Sequence, residues 1–435
     1  MPTRQVRAAH ESLAASSIAV VAADASSPSA RRTVVLLCTL LGYQGFTMAI
    51  NGIAAPWIAK GFGLGESGIA RLYTWISFSA IGALVLARLA DRVGRRRVLL
   101  WCMTLTPLAA FAAAVSFSMP VFVLCEIVMY ACIAATLAAS VVVLAEELPI
   151  AQRSTGQSFG GLAVGLGGGL CLILMPILDH AGYSWRWLLV VSAAGLVAMP
   201  ALAWRLPESR RWADAAARGK TQGRRFYEVF GSRYRRRAIP ILGCFLFTSI
   251  ANTATTSWSY FHGVSVVGLS ATAASLMMLV GGGASMLGFP LGAWTSERFG
   301  RVPTVVTFNI LAAAGGLFFY WGPPGWCGVP TVWLAVGFCW FMSAVNAVTV
   351  GGNSAGTELF PTALRGTMIG WFTLIGAIAA VIAQGAIALL AERCGGLSVI
   401  VGYLGLLSLP SAVVFGVSIQ ETRGLSLEIA ANEET

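Results

Sequence analysis

The chain reads as an all-α integral membrane protein, with about twelve transmembrane helices in two six-helix pseudo-repeats and both termini cytoplasmic. Three observations predict this. Of the 435 residues, 57% are hydrophobic and 11% charged, whereas a soluble domain carries roughly 25% charged residues. The chain therefore lacks the polar side chains to cover a water-facing surface. Apolar stretches of about 20 residues, long enough to span a bilayer, are centred near residues 43, 79, 107, 133, 167, 196, 250, 282, 312, 341, 377 and 408. Short charged motifs in the first half return in the second at nearly one offset. Helices are required because lipid cannot satisfy an open backbone.

Residues 1–32 are rich in Ala and Ser and carry Arg4, Arg7, Arg31 and Arg32. The apolar run from Leu13 to Ala23 is shorter than a span. It reads as part of a cytoplasmic tail, with a signal-peptide core as the alternative. Residues 33–206 form the first six-helix bundle, with a hydrophilic knot from Ala87 to Arg97 between its second and third spans. In that knot Gly94 permits a turn with φ > 0, and the arginines fix the loop in the cytoplasm. Residues 207–237 are a basic linker; from Arg205 to Arg237 there are eleven basic residues against three acids. Anionic lipid is the expected partner of that segment, whose helix-like stretches should lie along the inner membrane surface. Residues 238–420 form the second bundle and 421–435 a cytoplasmic tail.

The net charge of +11 would suit nucleic acid, but its placement argues otherwise. With the N-terminus inside, all of the 29 Lys and Arg except Lys60, Arg71, Arg186 and Arg393 fall on the cytoplasmic side, as orientation in a membrane demands. The nine cysteines include no C-x-x-C pair and no Cys/His cluster at zinc spacing, so no metal and no cofactor is expected. Glycines crowd the fifth span (Gly160, Gly161, Gly165, Gly167, Gly168, Gly169) and the eighth (Gly281, Gly282, Gly283, Gly288, Gly292). Small residues at this spacing let helices approach closely.

The repeats carry a resemblance. Asp91-Arg92-Val93-Gly94-Arg95 returns as Glu297-Arg298-Phe299-Gly300-Arg301, and Glu146-x-x-Pro149-x-x-x-Arg153 returns as Glu358-x-x-Pro361-x-x-x-Arg365. Pro207-Glu208-Ser209-x-Arg211 returns loosely as Glu421-Thr422-Arg423-Gly424. Offsets near 210 residues in all three imply two parallel repeats. The chain resembles the major facilitator superfamily, and within it the sugar-porter branch and the aromatic-acid and metabolite symporters. Ala87 and Ala293 stand where the family loop usually has Gly. The resemblance implies a cytoplasmic gate in which Arg92 and Arg95 pair with Glu146 and Glu208, and Arg298 and Arg301 pair with Glu358 and Glu421. Arg153 and Arg365 complete the two motifs. Simple anchoring in the membrane is the alternative for all these charges. The resemblance also implies that the fifth and eighth helices meet across the halves, making their glycines a rocking surface; ordinary tight packing is the alternative.

In that architecture the first, fourth, seventh and tenth helices line a cavity. Polar stripes at helical spacing mark three of them: Gln44, Thr47 and Asn51; Asn252, Thr255, Thr256 and Ser259; Asn346, Thr349 and Asn353. An amide in hydrocarbon is costly without a partner, so these are candidate substrate contacts, or interhelical glue. Trp258, Tyr260, Trp340 and Trp371 are candidate aromatic walls. Gln44-Gly45-Phe46-Thr47 stands where the aromatic-acid relatives carry Asp-Gly-Phe-Asp, and Glu126 stands where they carry an Arg. An acid in the fourth span is costly when charged, which suits Glu126 to carrying a proton; the alternative is that it reaches the outer aqueous layer or pairs with Arg71. The resemblance implies a secondary transporter of a small organic solute, a hydrophilic metabolite or weak organic acid. It would be multi-pass in the cell membrane (the inner membrane in a bacterium), monomeric and not an enzyme. An exporter of drug-like compounds, or a transport-inactive receptor or scaffold, is the alternative.

Overall fold

The computed structural model describes residues 28–147, 153–206, 228–231, 234–322, 329–360, 362–421 and 423, and every regular element among them is helical. The N-terminal tail up to residue 27 and nearly all of the basic linker lie outside the described residues. In chain order the α-helices are α1 (Pro28–Phe62), α2 (Glu66–Ser77), α3 (Ser79–Val93), α4 (Arg95–Val115), α5 (Met119–Glu147) and α6 (Arg153–His180). They continue with α7 (Arg186–Ala193), α8 (Met199–Trp204), α9 (Arg235–Phe261), α10 (Ala271–Ser285), α11 (Gly288–Phe299) and α12 (Arg301–Trp321). The last four are α13 (Pro330–Glu358), α14 (Thr362–Leu390), α15 (Leu397–Gly405) and α16 (Ser408–Ser418).

Among the described residues, 11 helical stretches are long and apolar enough to cross a membrane. The expected sixth span is the exception. Its helix is interrupted by a 3₁₀ turn at Ala194–Val197 between α7 and α8. Pro200 follows directly in α8, and a proline has no N–H to donate to the preceding turn. Gly195 faces Tyr43 so closely that a Cβ there would stand 2.5 Å from its ring. Periodicity and hydropathy do not register either feature.

The halves echo each other in helix length. α4 and α12 have 21 residues each, and α5 and α13 have 29 each. Gly94 at φ 111° precedes α4, and Gly300 at φ 114° precedes α12. The positive φ expected at the charged loop is present in both copies.

The chain divides into two compact units: residues 1–50, 81–171 and 186–221, and residues 51–80, 172–185 and 222–435. In the first, Leu37, Leu40, Leu99, Met103 and Leu206 form a core. Here α6 packs on α1 through glycine: a Cβ on Gly167 would lie 1.9 Å from the Gly42 carbonyl oxygen, and one on Gly45 2.1 Å from that of Val164. In the second unit, Ile241, Phe308, Phe341, Phe360 and Met368 form the core. Gly288 and Gly292 press against Ser343 and Ala347 of α13 in the same way. These glycines therefore serve close packing inside each unit.

Gly167→Val forces α1 and α6 apart, an overpacking cost of about 1–3 kcal/mol. It should lower the thermal midpoint of purified protein by about 1–3 °C. Gly161→Val is the control, since nothing lies within 4 Å of a Cβ there, and should leave the midpoint unchanged.

Candidate functional site

At the second charged loop, the Glu421 carboxylate sits on the N-terminus of α12. Its Oε1 accepts from the Arg301 backbone N–H at 2.9 Å and from that of Arg423 at 3.0 Å; its Oε2 accepts from the Val302 N–H at 3.0 Å. Helix N-termini expose unbonded N–H groups and partial positive charge, so an anion is favoured there. The acid thus reaches the loop through backbone amides, a mode that charge spacing does not reveal. Arg301 donates from Nη1 to the Ser296 carbonyl at 3.1 Å. The Arg298 guanidinium lies over Trp294 and Phe299 at 5.6 and 5.9 Å. Glu297 is exposed.

At the first loop Arg92 is exposed and Arg95 partly buried, while Arg96 Nη2 donates to the Trp204 carbonyl at 2.7 Å. Asp91, Glu146, Arg153, Glu358 and Arg365 lie on helices near their ends; their side chains, and the whole of Glu208, are outside the described residues.

The first-helix stripe is engaged in helix contacts. Gln44 is fully buried; its Nε2 donates to Thr136 Oγ1 at 3.4 Å and points at Met103 Sδ at 3.9 Å. Its Oε1 has no partner among the described residues. Thr47 shares a 2.8 Å hydrogen bond with Ser192 of α7. Asn51 is buried, and its carbonyl accepts from the Tyr73 hydroxyl at 2.6 Å. On α13, Asn346 Nδ2 donates to the Ser285 carbonyl at 3.1 Å, satisfying a group released where α10 ends.

The α9 stripe is different. Asn252 and Thr256 are half-buried, and Asn252 Oδ1 accepts from the Thr256 hydroxyl at 3.0 Å. That leaves the Asn252 Nδ2 donors without a partner among the described residues. Met342 of α13 lies 3.8 Å from Thr256 Oγ1. Two turns below, Phe245 meets Phe372 of α14 with ring centroids 4.7 Å apart, and both rings are half-buried. Phe245, Ser249, Asn252 and Thr256 repeat at i, i+4, i+7 and i+11, which places them on one face of α9. The face is uncharged, aromatic at one end and hydrogen-bonding at the other.

Trp371 is half-buried, edge-on to Phe230 at 4.8 Å. Trp340 is exposed beside Phe318, about 120° round α13 from Asn346. Trp258 is wholly buried, and its Nε1 donates to Gln384 Oε1 at 2.9 Å.

Glu126 of α5 is 0% exposed, and it is the only Asp, Glu, Lys or Arg in the buried class among the described residues. Reaching the outer aqueous layer is therefore not its position in this structure. Arg71 is exposed, with its Nε directed at the Ser67 carbonyl at 3.3 Å. One turn from Glu126, Tyr130 donates to the Met48 carbonyl at 2.7 Å.

Sequence reading passed over Glu66, Ser67 and Glu392, which are joined to one another's helices at the loop after α14. The available signal was the pair Gly395-Gly396 before an apolar run, a helix start able to receive a remote carboxylate.

Membrane-length helices, paired halves, an uncharged face on α9 and a buried acid on α5 define a multi-pass membrane carrier of small solutes. The chain belongs to the Major Facilitator Superfamily, whose family model matches residues 35–384. It is 27% identical to the gallate transporter of Pseudomonas putida over 388 residues, covering 80% of this chain and 83% of the relative. It is 24% identical to the 4-hydroxybenzoate transporter PcaK of Pseudomonas aeruginosa over 393 residues, 80% and 84% of the two chains. The crystal structure of a D-xylose-proton symporter superposes with a TM-score of 0.71 at 18% identity, covering 90% of this chain and 99% of that one. The protein is a small-solute transporter embedded in the cell membrane.

The bonding pattern separates two kinds of amide. Gln44→Leu removes a buried amide whose acceptor is unsatisfied, a change that can be neutral for stability, and should leave KM for the transported solute within about twofold. Asn252→Leu should raise KM about fivefold or more, since one lost hydrogen bond amounts to about 1 kcal/mol. Uptake kinetics in proteoliposomes check both.

Proposed function

We propose that the chain is a twelve-span proton symporter that takes up an aromatic organic acid by alternating access, and that it is not an enzyme. The broken stretch α7–α8 serves as the sixth span, and both termini are cytoplasmic. Bundles 33–206 and 238–420 are joined by the basic linker 207–237, which rests on anionic lipid, and the tails are 1–32 and 421–435. The protein acts as a monomer.

The observation that carries the reading is the complete burial of Glu126 in a membrane helix. A permanently charged acid there is costly, so protonation and release are the inexpensive way to use it. Support for an aromatic solute comes from the Phe245–Phe372 pair on the same α9 face as the Asn252 donors, which have no partner among the described residues; that suits a ring bearing hydroxyl or carboxylate oxygens. The relatives named for gallate and 4-hydroxybenzoate agree with that choice. On this account Asn252, Thr256 and Trp371 contact solute, while Gln44, Thr47, Asn51 and Asn346 hold helices in place. The motif charges Asp91, Arg92, Arg95, Glu146, Arg153 and Glu208, with Glu297, Arg298, Arg301, Glu358, Arg365 and Glu421, shut the cytoplasmic side.

A monocarboxylate entering with one proton moves no net charge. A membrane potential would otherwise act with about 2.3 kcal/mol per charge per 100 mV. Uptake of 4-hydroxybenzoate into proteoliposomes should therefore follow an imposed pH gradient and ignore an imposed potential. Glu126→Gln should abolish gradient-driven uptake while gradient-free exchange survives. Equal driven uptake by the variant removes Glu126 from coupling. Failure of every aromatic acid to move in the parent, with a drug-like cation moving instead, replaces the substrate class.

A further inference from the structure

Gly395 and Gly396 have φ of 88° and 115°, a backbone that side chains rarely adopt. They lead directly into α15, whose first residue is Leu397. The Leu397 N–H donates to Glu66 Oε2 at 2.7 Å. Glu66 is itself the first residue of α2. One carboxylate therefore sits at the positive ends of two helices, a position favourable to both. The next residue, Ser67, donates its hydroxyl to the Glu392 carboxylate in the same loop.

The contact continues into the membrane along α2. Thr74 Cγ2 would lie 3.8 Å from a Cβ on Gly385 of α14. Tyr73 meets Trp258 edge-on at 5.5 Å, and Trp258 is in turn hydrogen-bonded to Gln384 of α14. Beside them Trp57 stands 6.2 Å from Tyr260. From Glu66 to Tyr73 is about 10 Å along the helix, so a polar rim covers an apolar aromatic layer. Both lie toward the end of the unit where the first span ends and the second begins, the opposite end of its helices from the Arg301 loop.

The two acids on this rim are bonded to neutral donors, an amide and a hydroxyl. Nearby, among the described residues, the Arg71 side chain reaches the Ser67 carbonyl alone. Water can replace each such bond at small net cost. The aromatic layer excludes water while the rim holds, and the rim can release without stranding a buried charge. A joint of this kind between segments 331 residues apart in the chain suits a contact that opens and closes.

We propose that Glu66, with the Ser67–Glu392 bond, is the latch that shuts this face during the transport cycle, and that its release exposes the pathway beneath. Glu66 is a positioning residue: it never touches solute and acts through α2 and α15. The inference rests on the chain being an alternating-access transporter, but its test needs no substrate.

Ala70, fully buried on α2, is replaced by Cys in a Cys394→Ser background, and its reaction with a charged thiol reagent is followed in nanodiscs. Glu66→Ala should speed labelling about tenfold, and Ser67→Ala should speed it by a smaller factor. Glu66→Gln, which keeps an acceptor for Leu397 N–H, should fall between Glu66→Ala and the parent. Ser67→Ala removes a single hydroxyl and serves as the readout should Glu66→Ala fold poorly. In transport assays a loosened latch should lower both KM for solute presented at this face and kcat, because the return step slows. Unchanged labelling in both Glu66→Ala and Ser67→Ala overturns the proposal. Faster labelling without transport of any aromatic acid keeps the latch and rejects the substrate class.

Discussion

Hydrocarbon offers no hydrogen bonds, and the polar contacts described above are arranged around that constraint. Backbone groups are closed off in helices. At three helix ends a remote charged side chain meets the terminal groups. The Arg186 guanidinium takes the carbonyls of Ala113, Ala114 and Ser116 at the end of α4, a cation at the negative end of a helix. Glu421 takes the amides at the start of α12, and Glu66 the amide at the start of α15. Inside the second unit, the Thr248 hydroxyl of α9 donates to Asn309 Oδ1 of α12 and shares a hydrogen bond with the Ser411 hydroxyl of α16.

The two capped glycines have nearly the same geometry. Gly300 and Gly396 both have φ close to 115°, both precede the first residue of a helix, and both helices receive a carboxylate distant in sequence. At Gly300 the fit is so close that a Cβ would stand 2.4 Å from Glu421 Oε2. One device thus serves both ends of the membrane helices. It suits a protein that must close each face in turn, because a carboxylate on amides is held by position and can be replaced by water.

Much of the fold was legible because its signals are local. Apolar runs, the Asp91–Arg95 loop and its copy at Glu297–Arg301 each report on a few neighbouring residues, and eleven of the predicted centres fall in membrane-length helices. The sixth did not, because hydropathy is blind to the break that Gly195 and Pro200 introduce. The site was less legible because a polar residue announces its helix but not the direction it faces. Gln44 and Asn252 look alike in sequence. One is enclosed against Thr136, while the amide donors of the other have no partner among the described residues. Glu66 and Glu392 were harder still: Gly395-Gly396 marks a helix start, but nothing local names the remote carboxylate that meets it.

The central claim is that the closed face is one state of a cycle. Spin labels at Lys60 and Arg393, both exposed at that face, report its width by pulsed dipolar spectroscopy in a background lacking Cys394. The account predicts two distance populations whose ratio shifts when transported solute is added. A single distance, unmoved by solute that the same preparation transports, would contradict it.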